Sequence, residues 1–266
     1  DYAVVEVGLG GRLDATNVIT SLVSIITNID YEHTEVLGRS LSKIAREKAA
    51  IIKPGVPVVT AENKAGPLKV FKKACGKKAS LLIAVSSKQA AVSSNLVGKH
   101  QKVNAACAVS ALRLARIKVA RASILKGLQK TDWPGRFQVI SKRPLVIVDG
   151  AHNPAGAKAL RVTIEETFPK KFTLVFGCQK TKDFRKILDL LKSIVSNAII
   201  TKSSHKLAAD PGMILKYLRK RNFRACAASS VMEAISKWDQ EGPLLVTGSL
   251  FTAADALKNL DVLLEP

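Results

Sequence analysis

LVIVDGAHNPAGAKALRVTIEET, residues 145–167, holds a strand, a turn and a helix in succession. Leu145–Val148 is an apolar, β-branched run that suits a buried strand. Asp149 ends it, Gly150 permits a tight turn, and Pro154 opens a helix over about Ala155–Thr167. The same rhythm continues downstream. Strands are expected at Phe172–Phe176, Ala198–Thr201, Arg224–Ala227 and Leu244–Thr247. Helices are expected near Phe184–Val195, Gly212–Arg221, Val231–Trp238 and Thr252–Leu260. Strands separated by helices of this length imply βαβ units and a mainly parallel sheet. Ligands of such sheets sit outside the carboxyl ends of the strands. That rule singles out Asp149–Pro154, Gly177–Asp183, Lys202–His205 and Gly248–Leu250.

Upstream, Thr131-Asp132-Trp133-Pro134-Gly135 interrupts the pattern, and a domain boundary is placed there, dividing residues 1–133 from 134–266. The first part also alternates. Strands are expected at Ala3–Val7, Leu22–Ile29, Val56–Thr60 and Leu81–Val85. Leu41–Ile52 has helical apolar spacing, with Ser40 as N-cap and Pro54-Gly55 as stop. Further helices are expected at Lys64–Cys75, Gln101–Ile117 and Ala122–Gln129.

The 266 residues are 47% hydrophobic, enough for two globular cores, and no apolar run is long enough to span a membrane. The four cysteines form no CxxC pair, which argues against a disulfide framework or a cysteine zinc site and for a cytoplasmic protein. The formal net charge is +21, a field that attracts polyanions such as nucleic acid, a nucleotide triphosphate or a polyacidic substrate. Few aromatics interleave with the basic residues, so no specific nucleic-acid binding is expected.

Several clusters carry chemistry. The run that opens the chain ends in a lone acid, Glu6, followed by Gly8-Leu9-Gly10-Gly11-Arg12-Leu13. Leu13 stands where a dinucleotide fingerprint needs glycine, so these glycines either let the backbone pass close to a ligand or another segment or simply form a tight turn. Glu32 and His33 lie beyond the second strand, near Glu6 at the end of the first, and a carboxylate and a histidine at adjacent strand ends could hold Mg²⁺ directly or through water. Ala45-Arg46-Glu47-Lys48-Ala49 reads as a mixed-charge helical turn. In Asp149-Gly150-Ala151-His152-Asn153-Pro154, His152 and Asn153 stand at a helix N-terminus suited to phosphate or carboxylate, and Asp149 can accept from ribose hydroxyls. Thr247-Gly248-Ser249 is either a carboxylate site or a plain serine cap. The chain contains no G-x-x-x-x-G-K-[ST] phosphate loop.

In order, EVGLGGRLDATN, EHTEVLG, IAREKA, IIKPGVPVV, WPGR, DGAHNPAG and VTGSLF resemble a folylpolyglutamate synthetase or its bifunctional dihydrofolate synthase relative, Mur-ligase-like, ATP-dependent amide-forming enzymes. The resemblance runs across nearly the whole chain. It implies the remainder of a P-loop-type central domain followed by a C-terminal Rossmann-like α/β domain that binds glutamate. It implies an acyl phosphate made from ATP and a carboxylate, then attacked by the amine of L-glutamate. The acceptor is a folate, or dihydropteroate in the bifunctional enzyme, and the enzyme is expected to be a monomer. Glu6 and His33 match the Mg²⁺ ligands, and Lys48 a lysine that is carboxylated in relatives. Asp14 and Asn17 match the loop near the pterin. Asn104, Arg136, Asp149 and His152 match contacts to ATP, and His152 and Ser249 positions near the incoming glutamate.

The chain departs from the family at Glu32, usually aspartate, and at Asp30 and Ala50, usually glycines. The family's phosphate loop precedes the EVGLGG stretch, so the sequence is expected to be N-terminally truncated and inactive alone. Two other readings stay open: a non-catalytic or split homologue, and a basic nucleic-acid-binding module.

Overall fold

The computed structural model describes residues 2–86 and 94–263. Contacts divide the chain into two compact units, one of residues 1–95 and 99–131, the other of residues 96–98 and 132–266.

The first unit runs β1 (Ser24–Ile26), α1 (Thr34–Leu37), α2 (Leu41–Ala49), β2 (Val58–Thr60), α3 (Ala65–Lys77), β3 (Leu82–Ala84), α4 (Lys99–Leu114) and α5 (Arg121–Lys130). Its sheet is parallel, in the order β1-β2-β3, with Ser24, Val58 and Leu82 in register. Both faces of β2 are covered, so its residues are all buried. Ile44, Ala45 and Ala49 of α2 and Phe71 and Cys75 of α3 pack with Ile26 and Val58. Ala106, Cys107 and Ala111 of α4 pack with Val59 and Val85. Ser40 caps α2 by accepting from the Lys43 N–H.

The expected strand at Ala3–Val7 does not form. These residues belong to no strand, and Val4 is fully exposed. An apolar run becomes a strand only where a neighbouring strand takes its backbone donors and acceptors, and no described strand pairs with this one. The second run contributes only Ser24–Ile26, because further along the Ile29 N–H bonds the Glu62 carboxylate at 2.6 Å rather than a strand. Likewise α2 stops at Ala49, and residues 50–52 finish as turns.

The second unit runs β4 (Gln138–Lys142), β5 (Leu145–Val148), α6 (Pro154–Thr167), β6 (Phe172–Phe176), α7 (Phe184–Leu191), β7 (Val195–Ile200), α8 (Pro211–Arg219), β8 (Ala225–Ala227), α9 (Val231–Ser236), β9 (Leu244–Thr247) and α10 (Leu250–Leu263). The sheet order is β4-β5-β9-β6-β7-β8, parallel except for the β4–β5 hairpin. The mainly parallel α/β architecture read from the sequence is thus present. The hairpin strand β4 was not foreseen, since it is half-exposed, polar at both ends and bulged between Val139 and Ser141. Helices α6, α7 and α8 pack with Ile147, Leu174 and Ile200. Helices α9 and α10 pack with Val146, Val148, Val175 and Val246. The fully apolar strands β5, β6 and β9 therefore occupy the middle of a two-sided core. No described helix is long and apolar enough to cross a membrane.

Candidate functional site

In the first unit the glycine-rich turn lies against α2. A Cβ on Gly11, whose φ is +147°, would stand 2.9 Å from the Glu47 carbonyl oxygen and 3.3 Å from the Lys48 Cα. One on Gly10 would stand 2.9 Å from Leu37. So the glycines serve a close approach of two backbone segments. The turn is locked by side chains on both sides. Asp14 accepts from the Leu9 N–H at 3.0 Å and caps a short 3-10 turn, Ala15–Val18, through the Thr16 N–H. The Thr16 hydroxyl adds a 2.6 Å bond. These donors, the Thr16 hydroxyl first, hold the Asp14 carboxyl down at about 2. Arg12 meets both oxygens of Glu47 at 3.1 Å. Lys53 donates to the Asn17 backbone and side-chain oxygens at 2.5 and 2.9 Å.

The structure therefore brings Asp14, Asn17 and the Lys48 stretch of α2 into one locality. Asp14 is engaged within its own turn, and Asn17 is held by Lys53 and by its own bond to the Arg12 carbonyl. His33 sits in the left-handed region at φ 49°, before α1, with Glu32 and Glu35 at 4.0 and 3.9 Å from its ring nitrogens. Glu6 is exposed. Among the described residues no three His, Cys, Asp or Glu side chains converge as a metal cluster would. Asn104 lies on the exposed face of α4, bonded to Gln101 at 3.0 Å.

A residue that sequence reasoning missed is Glu62. Its side chain is fully buried just past β2 and accepts from the Ile29, Asn63 and Lys64 N–H groups at 2.6, 2.8 and 2.6 Å. Lys64 returns a 2.6 Å bond to the Ile29 carbonyl. The clamp ties the loop after β1 to the end of β2. Its sequence signature was available: an acid closing an apolar strand, the feature that drew attention to Glu6.

In the second unit the two motifs that flank the β4–β5 hairpin meet at the carboxyl end of β5. The Gly150 N–H donates to the Gly135 carbonyl at 2.7 Å, and the Phe137 N–H donates to Asp149 Oδ2 at 2.8 Å. The other oxygen of Asp149 accepts from the Ala151 N–H at 2.8 Å. Arg136 is thereby carried between two residues anchored to the Asp149–His152 turn. His152 Nδ1 lies 2.9 Å from the Gly150 carbonyl, which can only accept, so that nitrogen carries a proton and Nε2 of a neutral ring is the acceptor. Asn153 caps α6 by accepting from the Gly156 N–H at 2.8 Å, with Pro154 at the first position. Next to this turn, the Gly248 N–H donates to the Ala151 carbonyl at 3.1 Å. Ser249 is 3% exposed, and its hydroxyl caps α10 through the Thr252 N–H at 2.9 Å.

Residues 135–250 match the family model of the Mur ligase, glutamate ligase domain. The chain is 29% identical to the Bacillus subtilis dihydrofolate synthase/folylpolyglutamate synthase, covering 98% of this chain and 67% of the relative. It is also 29% identical to a Haloferax volcanii protein named a probable bifunctional folylpolyglutamate synthase/dihydropteroate synthase, covering 96% of this chain and 34% of the relative. The structure of E. coli FolC in complex with DHPP and ADP superposes with a TM-score of 0.86 at 28% identity, over 97% of this chain and 66% of that one. The chain thus spans between about a third and two thirds of the length of these relatives. Motif order, the α/β architecture of both units and these likenesses agree: residues 135–250 form a Mur ligase, glutamate ligase domain, and nearly the whole chain is similar to folylpolyglutamate synthase/dihydrofolate synthase proteins.

Proposed function

We propose that the chain forms part of an ATP-dependent ligase that adds L-glutamate to a folate, or to dihydropteroate, acting as a cytoplasmic monomer. The observation that carries this reading is the double bond of the WPGR turn to the DGAHN turn, Gly135 to Gly150 and Phe137 to Asp149. It puts a guanidinium, a carboxylate and an imidazole at one strand edge, beside the N-terminus of a long helix. Arg136 suits nucleotide phosphates and Asp149 the ribose; the family resemblance also assigns Asn104 to ATP. A substrate carboxylate takes the γ-phosphoryl group, ADP leaves, and the acyl phosphate carbon is attacked by the glutamate amine. The amide forms as phosphate departs and the amine loses a proton, for which His152 Nε2 is the acceptor at hand. The protein positions the reactants and offsets their charge.

The reading assigns Glu6, His33 and Lys48, carboxylated, to Mg²⁺, and Asp14 and Asn17 to the pterin side. The described residues gather no three metal donors, so no step is derived through the ion. The test is ATP- and Mg²⁺-dependent addition of glutamate to a reduced folate by the product of the complete reading frame that contains these residues. An unchanged rate in His152→Ala or Arg136→Ala would overturn the site assignment.

A further inference from the structure

Pro67, Phe71 and Cys75 turn one side of α3 into the first unit, and the other side is left to lysine. Lys69, Lys72, Lys73 and Lys77 are all exposed. Lys69, Lys73 and Lys77 follow one another at four-residue steps, so they form a single row that rises about 6 Å per step. Lys72 stands beside the row, three positions after Lys69. None of the four ammonium groups has a hydrogen-bond or ion-pair partner among the described residues. The helix contains no acid. Its neighbour α2 packs on the same face of the sheet and adds exposed Lys43 and Arg46 to the solvent side. The one acid of α2, Glu47, is taken by Arg12 at 3.1 Å.

Such a row works against its own helix. Like charges four positions apart are destabilising, and Lys69–Lys73 and Lys73–Lys77 are two such pairs. An anion lying along the row removes that repulsion. The other exposed positions of the helix, Ala65, Gly66 and Gly76, are small, and a Cβ on Gly76 would have nothing within 4 Å. The face therefore offers charge and close access but no apolar anchor, and this decides the class of partner. A protein interface draws most of its energy from buried aromatic and aliphatic anchors. A helix that lies on a membrane needs an apolar face to insert. A nucleic acid needs neither, because its phosphates bind basic side chains by releasing counterions, whatever bases they carry. The formal net charge of +21 draws such a polyanion in from a distance.

We infer that the α3 lysine row is a sequence-independent nucleic-acid contact. Lys69, Lys73 and Lys77 meet phosphates of one strand, and Lys72, Lys43 and Arg46 add flanking charge. None of these residues belongs to the set assigned to the ligase, so the two readings stand or fall separately.

The test is a fluorescence-anisotropy titration of the 266-residue chain with labelled oligouridylate and oligoadenylate of about twenty nucleotides, at salt from about 50 to 200 mM. The two oligonucleotides are expected to bind within about threefold of one another, with log K falling linearly in log salt. Each phosphate contact adds about 0.7 to that slope for a single strand. Lys69→Gln/Lys73→Gln/Lys77→Gln should therefore cut the slope by about 2 and weaken binding at least tenfold, and Lys73→Gln alone should cut it by about 0.7. Glutamine matches lysine in helix propensity and relieves the repulsion, so the triple variant should melt no lower than its parent. Removing three charges at the end of α8 instead, Lys216→Gln/Arg219→Gln/Lys220→Gln, should change the slope by no more than about 0.5. Failure of both oligonucleotides to bind, an unchanged slope in the α3 variants, or an equal loss in the α8 control overturns the inference. Tighter binding of poly-L-glutamate or of phosphatidylserine-rich vesicles also overturns it, and would give the row to an acidic protein or to a membrane.

Discussion

Replacing Asp149 by alanine is expected to unfasten the second unit, beyond any effect on a ligand. The carboxylate accepts two backbone N–H groups, from Phe137 and Ala151, each at 2.8 Å and each on its own oxygen. Phe137 is buried and sits at φ 44°, a left-handed conformation that costs a non-glycine residue free energy. The Asp149 bond is part of what holds it there. A hydrogen bond to a charged group contributes roughly 1.5–3 kcal/mol, and the half-buried position of Asp149 favours the low end. Together the two bonds give about 3–4 kcal/mol, a large share of the stability of a small domain. At a urea dependence of about 2 kcal/mol/M, the unfolding midpoint should fall by about 1.5–2 M. Both tryptophans of the chain, Trp133 and Trp238, lie in the second unit, so tryptophan emission reads its unfolding selectively. Asp149→Asn keeps one acceptor and should lose roughly half as much. A midpoint unchanged in Asp149→Ala would refute this reasoning and leave Asp149 as a ligand contact only.

Other outcomes follow from the same geometry. Gly150→Ala drives its methyl to 2.4 Å from the flexible tip of Leu250 and should cost about 1–2 kcal/mol. Gly248→Ala meets the Gly177 carbonyl at 2.6 Å in a φ +111° conformation and should cost about 3 kcal/mol or more, and urea melts giving the reverse order would contradict this ranking. Glu62→Ala strands three N–H groups, one fully buried, and should destabilise the first unit by about 3–5 kcal/mol. Faster labelling of the buried thiols of Cys75 and Cys107 would report it, and unchanged labelling would count against the clamp. Asp14 titrates at about 2 in the fold against an ordinary 3.8. Its contribution to the turn is therefore present above about pH 4 and lost as pH falls towards 2. The carbon-13 shift of its carboxyl should show this, and a midpoint near 3.8 would exclude it.

The second unit was largely legible in the sequence because its strands are buried on both faces and its helices carry their own stops and starts. Asp149-Gly150 and Asn153-Pro154 state a strand end and a helix start in local chemistry alone. The first unit was less legible. Ala3–Val7 has the composition of a strand, but composition says nothing about whether a ladder partner is present. An acid closing an apolar strand was visible at Glu62, but its clamp depends on a contact with Ile29, about thirty positions away, which no local pattern announces. The site was partly legible in the same sense. Gly135 and Gly150 were each visible as turn residues, while their bond to one another was not.

The tightest part of the strand edge is laid in main chain. At Gly177 and Gly248 even a single methyl would collide with a hydroxyl, a carbonyl or a ring of an adjoining segment. Such a floor is closed to sequence drift: it can be kept or lost, but not retuned. Variation must come from the rim, where side chains can be exchanged without disturbing the strands. Engineering of this scaffold should therefore leave these glycines alone.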